Sequence, residues 1–420
     1  MRDYTAPIFR AAGINSSAAK IYLIGDRSFN AFVANGQKIF VNAGAIMEAK
    51  TPNEMIGVLA HETGHMAGGH LAQLRMELAN AQIYSVIGLL ASAAAIATTT
   101  RGGSANRPGN VGMDNGGMMG LMLGPQELVA RSLLAYQRVE EQAADRSALR
   151  YLAATGQSSK GLLETMKRFQ SEGLFATSRV DPYLQSHPLP SERLALLETA
   201  ARANPAWNAV DPPALQARHD LARAKLVAFV GDTAEIGRRY PLSDTSLAGR
   251  YARAIQAYRF GRVADAASLI DGLIASQPGN AYFHELKGQA LLEGGRAAQA
   301  VPSLRKAVSM AAISAPIRVM LGHALISTNN PRDVDEAIKV LQGVISRDED
   351  NSDAYQFLSM AYDRKGNIPM AQLSAAEALF AQGKYVEART QADRAQKQFK
   401  TGTPGWLKAD DILNYRPPRI

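Results

Sequence analysis

A chain of 420 residues, 46% hydrophobic and 20% charged, is long enough for two or three domains with cores of their own, and its wealth of Ala and Leu reads as largely α-helical. The net charge of +8 is scattered through helical segments and forms no basic stripe, which argues for a solvated surface and against a nucleic-acid partner. The absence of cysteine excludes disulfides and thiolate chemistry, so any metal site has to be built from histidine and carboxylates, and the redox compartment stays open.

The N-terminal "MRDYTAPIFRAAGI" lacks the basic start, apolar core and small-residue cleavage site of a signal peptide, and reads as the middle of a helix, as in a mature or truncated chain. "AFVANGQKIFVNAG" (31–44) follows, two β-rich runs around Asn35-Gly36. That dipeptide favours a two-residue hairpin because both positions tolerate positive φ. Thr51-Pro52-Asn53-Glu54 combines a capping-box spacing with Pro at the first helical position, so a helix is expected to start there. The apolar run 83–97 falls short of the roughly 20 residues a membrane span needs and reads as a buried or interfacial helix. Residues 102–124, rich in Gly, Asn and Met without a period, read as a loop that either covers the site as a lid or merely connects.

From about residue 245 the chain turns repetitive. Gly261, Gly295, Asn330 and Gly366 recur at intervals near the 34 residues of a tetratricopeptide unit, with small and large residues such as Ala266, Ala300, Leu304 and Ala307 between them. "AQGKYVEARTQADRA" (381–395) adds one more turn and helix. The expected fold is mostly α (α+β): a catalytic domain over 1–205 with a small β-hairpin and an apolar helix plus lid at 82–124, a connector over 206–244, an α-solenoid of repeats over 245–400 and a tail over 401–420.

The chemistry concentrates in "NEMIGVLAHETGHMAGGH" (53–70). On a helix His61 and His65, four apart, share one face and can address one cation, whereas Glu62, about 100° round, can reach a water beside that cation but is badly placed to ligate. This is the H-E-x-x-H arrangement of two zinc ligands and a general base. A catalytic zinc usually takes three protein ligands, and without cysteine the third must be His, Glu or Asp. "YQRVEEQAADRSALRYL" (136–152) reads as a helix presenting Glu141 as the ligand and Asp145, at i+4, as acceptor for the far nitrogen of a ligating histidine. Glu140 competes for the ligand role. His70, five residues after His65, points about 140° off the metal face and reads as packing or surface. His219, His284 and His323 read as structural. His187 stands in the Pro-rich loop "SHPLPSER" (186–193), and spacing alone makes it a turn histidine.

"NAFVANGQKIFVNAGAI", "EMIGVLAHETGH" and "EEQAADRSALRYL", in that order, resemble the M48 family of zinc metallopeptidases, and "SHPLPSER" followed by tetratricopeptide-like helices resembles its periplasmic branch. The likeness runs from about residue 4 to about 400. It implies a gluzincin fold with ligands His61, His65 and Glu141, base Glu62 and supporting Asp145, and it implies that the His187 loop lies over the metal with Arg193 nearby. It further implies degradation of misassembled outer-membrane proteins, assistance to their assembly, and a periplasmic location. The family's signal peptide and a further N-terminal helix are missing from this sequence.

The expected reaction is zinc-dependent endopeptidase cleavage of unfolded proteins. Arg193, and less so Tyr183, are the candidates for the oxyanion. Substrate is expected to pair as an extended strand with the hairpin edge at Ala31, Phe32, Val33 and Ala34. The repeats would offer a concave surface to a protein partner, by resemblance the outer-membrane assembly machinery. Peripheral membrane contact is left open. His187 is expected to be a reversible fourth zinc ligand that switches the resting enzyme off. The competing reading is a chaperone or adaptor of outer-membrane protein assembly with a normally silent protease site. Against a merely structural metal, such a site has no use for Glu62. A membrane-embedded protease would need a longer apolar run.

Overall fold

The computed structural model describes residues 1–420 except 17, 35–36, 75, 77–136, 176–186, 188–190, 262 and 418–420. The apolar run at 83–97 and the Gly/Met-rich stretch at 102–124 therefore lie outside the described residues, as do Tyr183 and the Asn35-Gly36 turn. The chain forms two compact units, Met1–Val230 and Gly231–Ile420. It is mostly helical with one small sheet. Among the described residues no helix is long and apolar enough to cross a membrane.

The first unit is built around one buried helix. Helix α1 (Arg2–Ala11) sends Tyr4, Ile8 and Phe9 into the core. Strands β1 (Lys20–Ile24), β2 (Ala31–Ala34) and β3 (Lys38–Asn42) form a sheet in the order β1-β3-β2. The antiparallel β2–β3 pair, Phe32 opposite Phe40, is the expected hairpin, while β1 joins β3 in parallel and was not expected. Its residues do not alternate cleanly between apolar and polar, and parallel partners are set by long connections that leave no local turn signal. Alternating Ile39 and Val41 of β3 are fully buried, so the inner face of the sheet covers the core.

After α2 (Ala43–Glu48) comes α3 (Pro52–Gly68). Thr51 Oγ1 accepts a hydrogen bond from the Glu54 amide at 3.2 Å, and Pro52 occupies the first turn, where it forfeits no helical hydrogen bond. Only half of the capping box forms, because the Glu54 carboxylate pairs with Arg168 at 3.1 Å instead. From Glu54 to Gly64 every residue of α3 is buried, so this helix is the spine of the unit. Around it pack α4 (137–154), α5 (Lys160–Phe175), α6 (Ser191–Arg202) and α7 (Pro213–Val230). Close approach to α3 depends on two glycines. A Cβ at Gly57 would stand 2.7 Å from the Leu162 side chain of α5, and one at Gly64 would stand 2.8 Å from the Ala144 carbonyl of α4.

The second unit begins with α8 (Thr233–Arg239) and continues as helix pairs: α9 (Leu247–Phe260) with α10 (Val263–Ser276), α11 (Ala281–Glu293) with α12 (Ala297–Met310), and α13 (Ala315–Ser327) with α14 (Pro331–Ile345). Then come α15 (Ser352–Arg364) with α16 (Ile368–Ala381), and α17 (Tyr385–Gln396) with α18 (Pro404–Asn414). This is a helical solenoid. Gly295, Gly366 and Gly383 hold the left-handed backbone conformation that lets one helix end and the next begin, with φ of +73°, +70° and +76°. In the third pair that conformation belongs to Asn329 (φ 59°), not to Asn330, which instead caps α14. Gly261 is extended and breaks the pattern as well. The sequence period locates the turns to within a residue but does not say which residue takes the strained conformation.

Candidate metal centre

Helix α3 aims His61 and His65 at one point, and α4 brings Glu141 to the same point from the other side. His65 Nε2 lies 3.1 Å from His61 Nε2 and 3.2 Å from Glu141 Oε1, and His61 Nε2 lies 3.4 Å from Glu141 Oε2. His187 joins them: its Nδ1 is 2.9 Å from Glu141 Oε1 and 3.4 Å from His61 Nε2. Donor atoms from all four residues fall within 4.8 Å of one another. Zinc bonds of about 2.0–2.1 Å in a tetrahedron imply ligand–ligand separations of about 3.3 Å, close to the 3.1, 3.2 and 3.4 Å between the His61, His65 and Glu141 atoms. Three imidazoles and a carboxylate crowded this closely, all but the partly buried His65 shielded from water, fit a cation at their centre.

The surrounding charges fit it as well. Asp145 Oδ1 sits 2.9 Å from His61 Nδ1, one turn along α4 from Glu141, and so fixes which nitrogen of His61 faces the cluster. Burial works against charge on His61, yet its hydrogen bonds to Asp145 and Glu141 outweigh burial and raise its pKa to about 10. His65, where burial dominates, falls to about 3. Burial would lift the two carboxylates. His187 and hydrogen bonds from His61 and His65 nevertheless hold Glu141 well below the usual range, and hydrogen bonds from His61 and Arg193 bring Asp145 to about 2. Two carboxylates, Glu141 and Asp145, therefore stay ionised beside the histidines.

Glu62 stands apart from the ligand set. It is completely buried, burial raises its pKa, and among the described residues neither of its oxygens accepts a hydrogen bond. His187 Nε2 approaches Glu62 Oε1 to 3.4 Å. Glu62, His65, Glu141 and His187 line a cavity of about 200 Å³, whose wall also includes Val33 of β2. Among the described residues β2 (Ala31, Phe32, Val33, Ala34) is an edge strand with one side of its backbone unpaired in the sheet, and of its residues Val33 reaches the cavity.

Arg193 is positioned otherwise than expected for an oxyanion partner. It is 2% exposed and does not line the cavity. Its Nε and Nη2 donate to the two oxygens of Asp145 at 2.7 and 2.9 Å, and its Nη1 lies 2.8 Å from Glu141 Oε2. A guanidinium committed to two buried carboxylates is not free to meet a third charge. The remaining histidines divide. His219 is buried between the Tyr4 hydroxyl and the Ala49 carbonyl, both at 2.9 Å; His284 bonds the Pro278 carbonyl; His323 stacks on Phe357. His70, expected to be packing or surface and turned off the metal face, instead packs against the site, with its Nδ1 2.9 Å from His65 Nδ1. The 140° offset assumed a continuous helix. Gly69, at φ +68°, ends α3 and folds His70 back, a break that the glycine pair in "HMAGGH" signals.

Residues 2–201 match the description of Peptidase family M48, and residues 248–315 match a tetratricopeptide repeat. Over 389 residues the chain is 23% identical to the beta-barrel assembly-enhancing protease of Yersinia pestis, covering 91% of this chain and 75% of that one. The Escherichia coli K12 protein of the same name is 22% identical over 395 residues with the same coverage. A Vibrio cholerae protein named "Putative beta-barrel assembly-enhancing protease" is 27% identical over 274 residues, which is 62% of this chain and 52% of that protein.

Proposed function

From the premise that the chain is a metalloprotease, a peptidase family M48 domain followed by tetratricopeptide repeats, we propose that it cleaves unfolded or misassembled envelope proteins with one zinc ion held by His61, His65 and Glu141. The observation that carries this reading is the spacing of those donors, which suits a tetrahedral ion, beside a buried Glu62 that accepts no hydrogen bond among the described residues. Zinc in such a site polarises a peptide carbonyl and acidifies water. Glu62 takes the proton from the attacking water, helped by burial that raises its pKa, and returns it to the leaving amine. Asp145 keeps His61 in the tautomer that ligates, and Arg193 holds Asp145 and Glu141 in place, a positioning role in preference to oxyanion binding. Substrate lies along the edge of β2, where backbone pairing tolerates any sequence, as a protease for unfolded clients requires.

His187 is a reversible fourth ligand. Its Nδ1 lies 2.9 Å from Glu141 Oε1 within the donor cluster, which supports this reading: with zinc bound, His187 would compete with the attacking water and would have to withdraw before cleavage. The repeats dock a protein partner; the relatives are named for beta-barrel assembly, which supports the outer-membrane assembly machinery as that partner and the periplasm as the location that the family resemblance implies. The deciding experiment is zinc analysis of the purified protein with casein cleavage measured with and without a chelator, for wild type and His187→Ala. Zinc-dependent cleavage, faster in His187→Ala at unchanged zinc content, is expected. Cleavage that survives chelation overturns the metal reading. A slower variant that keeps its zinc makes His187 a catalytic or substrate-orienting group.

A further inference from the structure

The structure assigns His70 and Glu140 a positioning role at the metal centre: a His65–His70–Glu140 chain that fixes the tautomer and orientation of His65. The inference rests on the zinc reading above. His65 turns Nε2 toward His61 and Glu141, so when it ligates through that nitrogen its proton must sit on Nδ1. That Nδ1 faces His70 Nδ1 at 2.9 Å, which can accept only if His70 in turn carries its proton on Nε2. His70 Nε2 stands 2.5 Å from Glu140 Oε2, and the negative charge of that carboxylate beside Nε2 favours the proton there, although the pair is a charge contact and not an aligned hydrogen bond. One proton arrangement satisfies all three residues. His61 is braced directly by a carboxylate, Asp145, and His65 reaches its carboxylate through a second imidazole.

The local backbone is built for this contact. Gly69 adopts φ +68° and reverses the chain after α3. A Cβ on Gly68 would stand 2.1 Å from His70 Nε2, so only glycine leaves room for the folded-back ring. Glu140 precedes the ligand Glu141 on α4, so the chain ties the end of α3 to the helix supplying the third ligand. His70 and Glu140 are both partly buried in the cavity wall.

The test measures zinc affinity of the full chain by chelator competition, alongside circular dichroism of the metal-free protein. His70→Leu removes the acceptor and is expected to weaken zinc binding about 10- to 100-fold, the usual effect of losing a partner behind a ligating histidine. His70→Asn, whose side-chain oxygen can stand near the lost Nδ1, is expected to recover most of that loss. Gly68→Ala, which ordinarily favours a helix, is expected to weaken zinc binding by pushing the ring away, and to add nothing on top of His70→Leu. An affinity for His70→Leu within about threefold of wild type, beneath that range, overturns the proposal while leaving the zinc reading intact. Equal losses for His70→Leu and His70→Asn with unchanged metal-free spectra also overturn it, because the Nδ1 acceptor would then be irrelevant. Wild-type protein that binds no zinc removes the underlying reading and this proposal together.

Discussion

A fully buried carboxylate that accepts no hydrogen bond among the described residues is costly to keep unless it takes protons as part of a reaction. Glu62→Gln is therefore expected to lower casein cleavage by about 10²–10⁴-fold, the range for a lost general base, while metal analysis still finds zinc. Hydrolysis near the wild-type rate would remove Glu62 from the mechanism. Glu141→Ala should instead lose zinc and activity together, whereas Glu140→Ala should only weaken binding; the reverse order would shift the ligand by one residue. Away from the site, His219 accepts from the Tyr4 hydroxyl and donates to the Ala49 carbonyl, so it is held neutral, and burial lowers its pKa despite nearby Asp220 and Glu54. A histidine whose folded pKa lies below its unfolded value of about 6.5 stabilises the fold above that pH and ceases to do so as pH falls. In melts of the metal-free protein, the Tm gap between wild type and His219→Leu should narrow from pH 7.5 to pH 5. A constant gap would show that His219 does not titrate differently on folding.

At the scale of elements, the site exists because α3 and α4 lie unusually close at Gly64. An added Cβ there would meet backbone, the Ala144 carbonyl at 2.8 Å and its Cα at 2.9 Å, so relief requires the helices to separate. Gly64→Ala should cost about 1–3 kcal/mol through overpacking and should also weaken zinc binding, because Glu141 moves with α4. A variant with lower Tm and unchanged zinc affinity would mean the ligands adjust independently of the helix spacing. This closeness was only partly legible in the sequence. The i, i+4 spacings of His61 with His65 and of Glu141 with Asp145 are local, and helical geometry alone turns them into shared faces. The start of α3 is equally local. What the sequence concealed is set by distant contacts: the pairing of β1 with β3, the commitment of Arg193 to Asp145 and Glu141, and the diversion of Glu54 to Arg168. His70 lies between these cases, since its glycine pair is visible but its partner on α4 is not.

At the scale of the molecule, each described hydrophobic cluster belongs to one unit. The cluster around Ile8, Ile39, Leu59 and Phe169 has its last packed member at Leu226, and the cluster around Leu304 and Leu341 and that around Leu373 lie wholly beyond Gly231. All four candidate ligands, Glu62 and the edge strand fall in the first unit. In a solenoid, each helix pair is stabilised chiefly by its neighbours, so the second unit does not need the first to fill its core. A protein ending at Val230 is therefore expected to fold cooperatively and bind about one zinc per chain, the stoichiometry of a single tetrahedral site. It should still cleave casein and should lose only partner-dependent behaviour. Residues 231–420 alone should give a helical circular dichroism spectrum and a cooperative melt. An insoluble or metal-free fragment ending at Val230 would show that the catalytic unit depends on the repeats for its fold, and the boundary at Gly231 would then separate two regions of contact but not two domains.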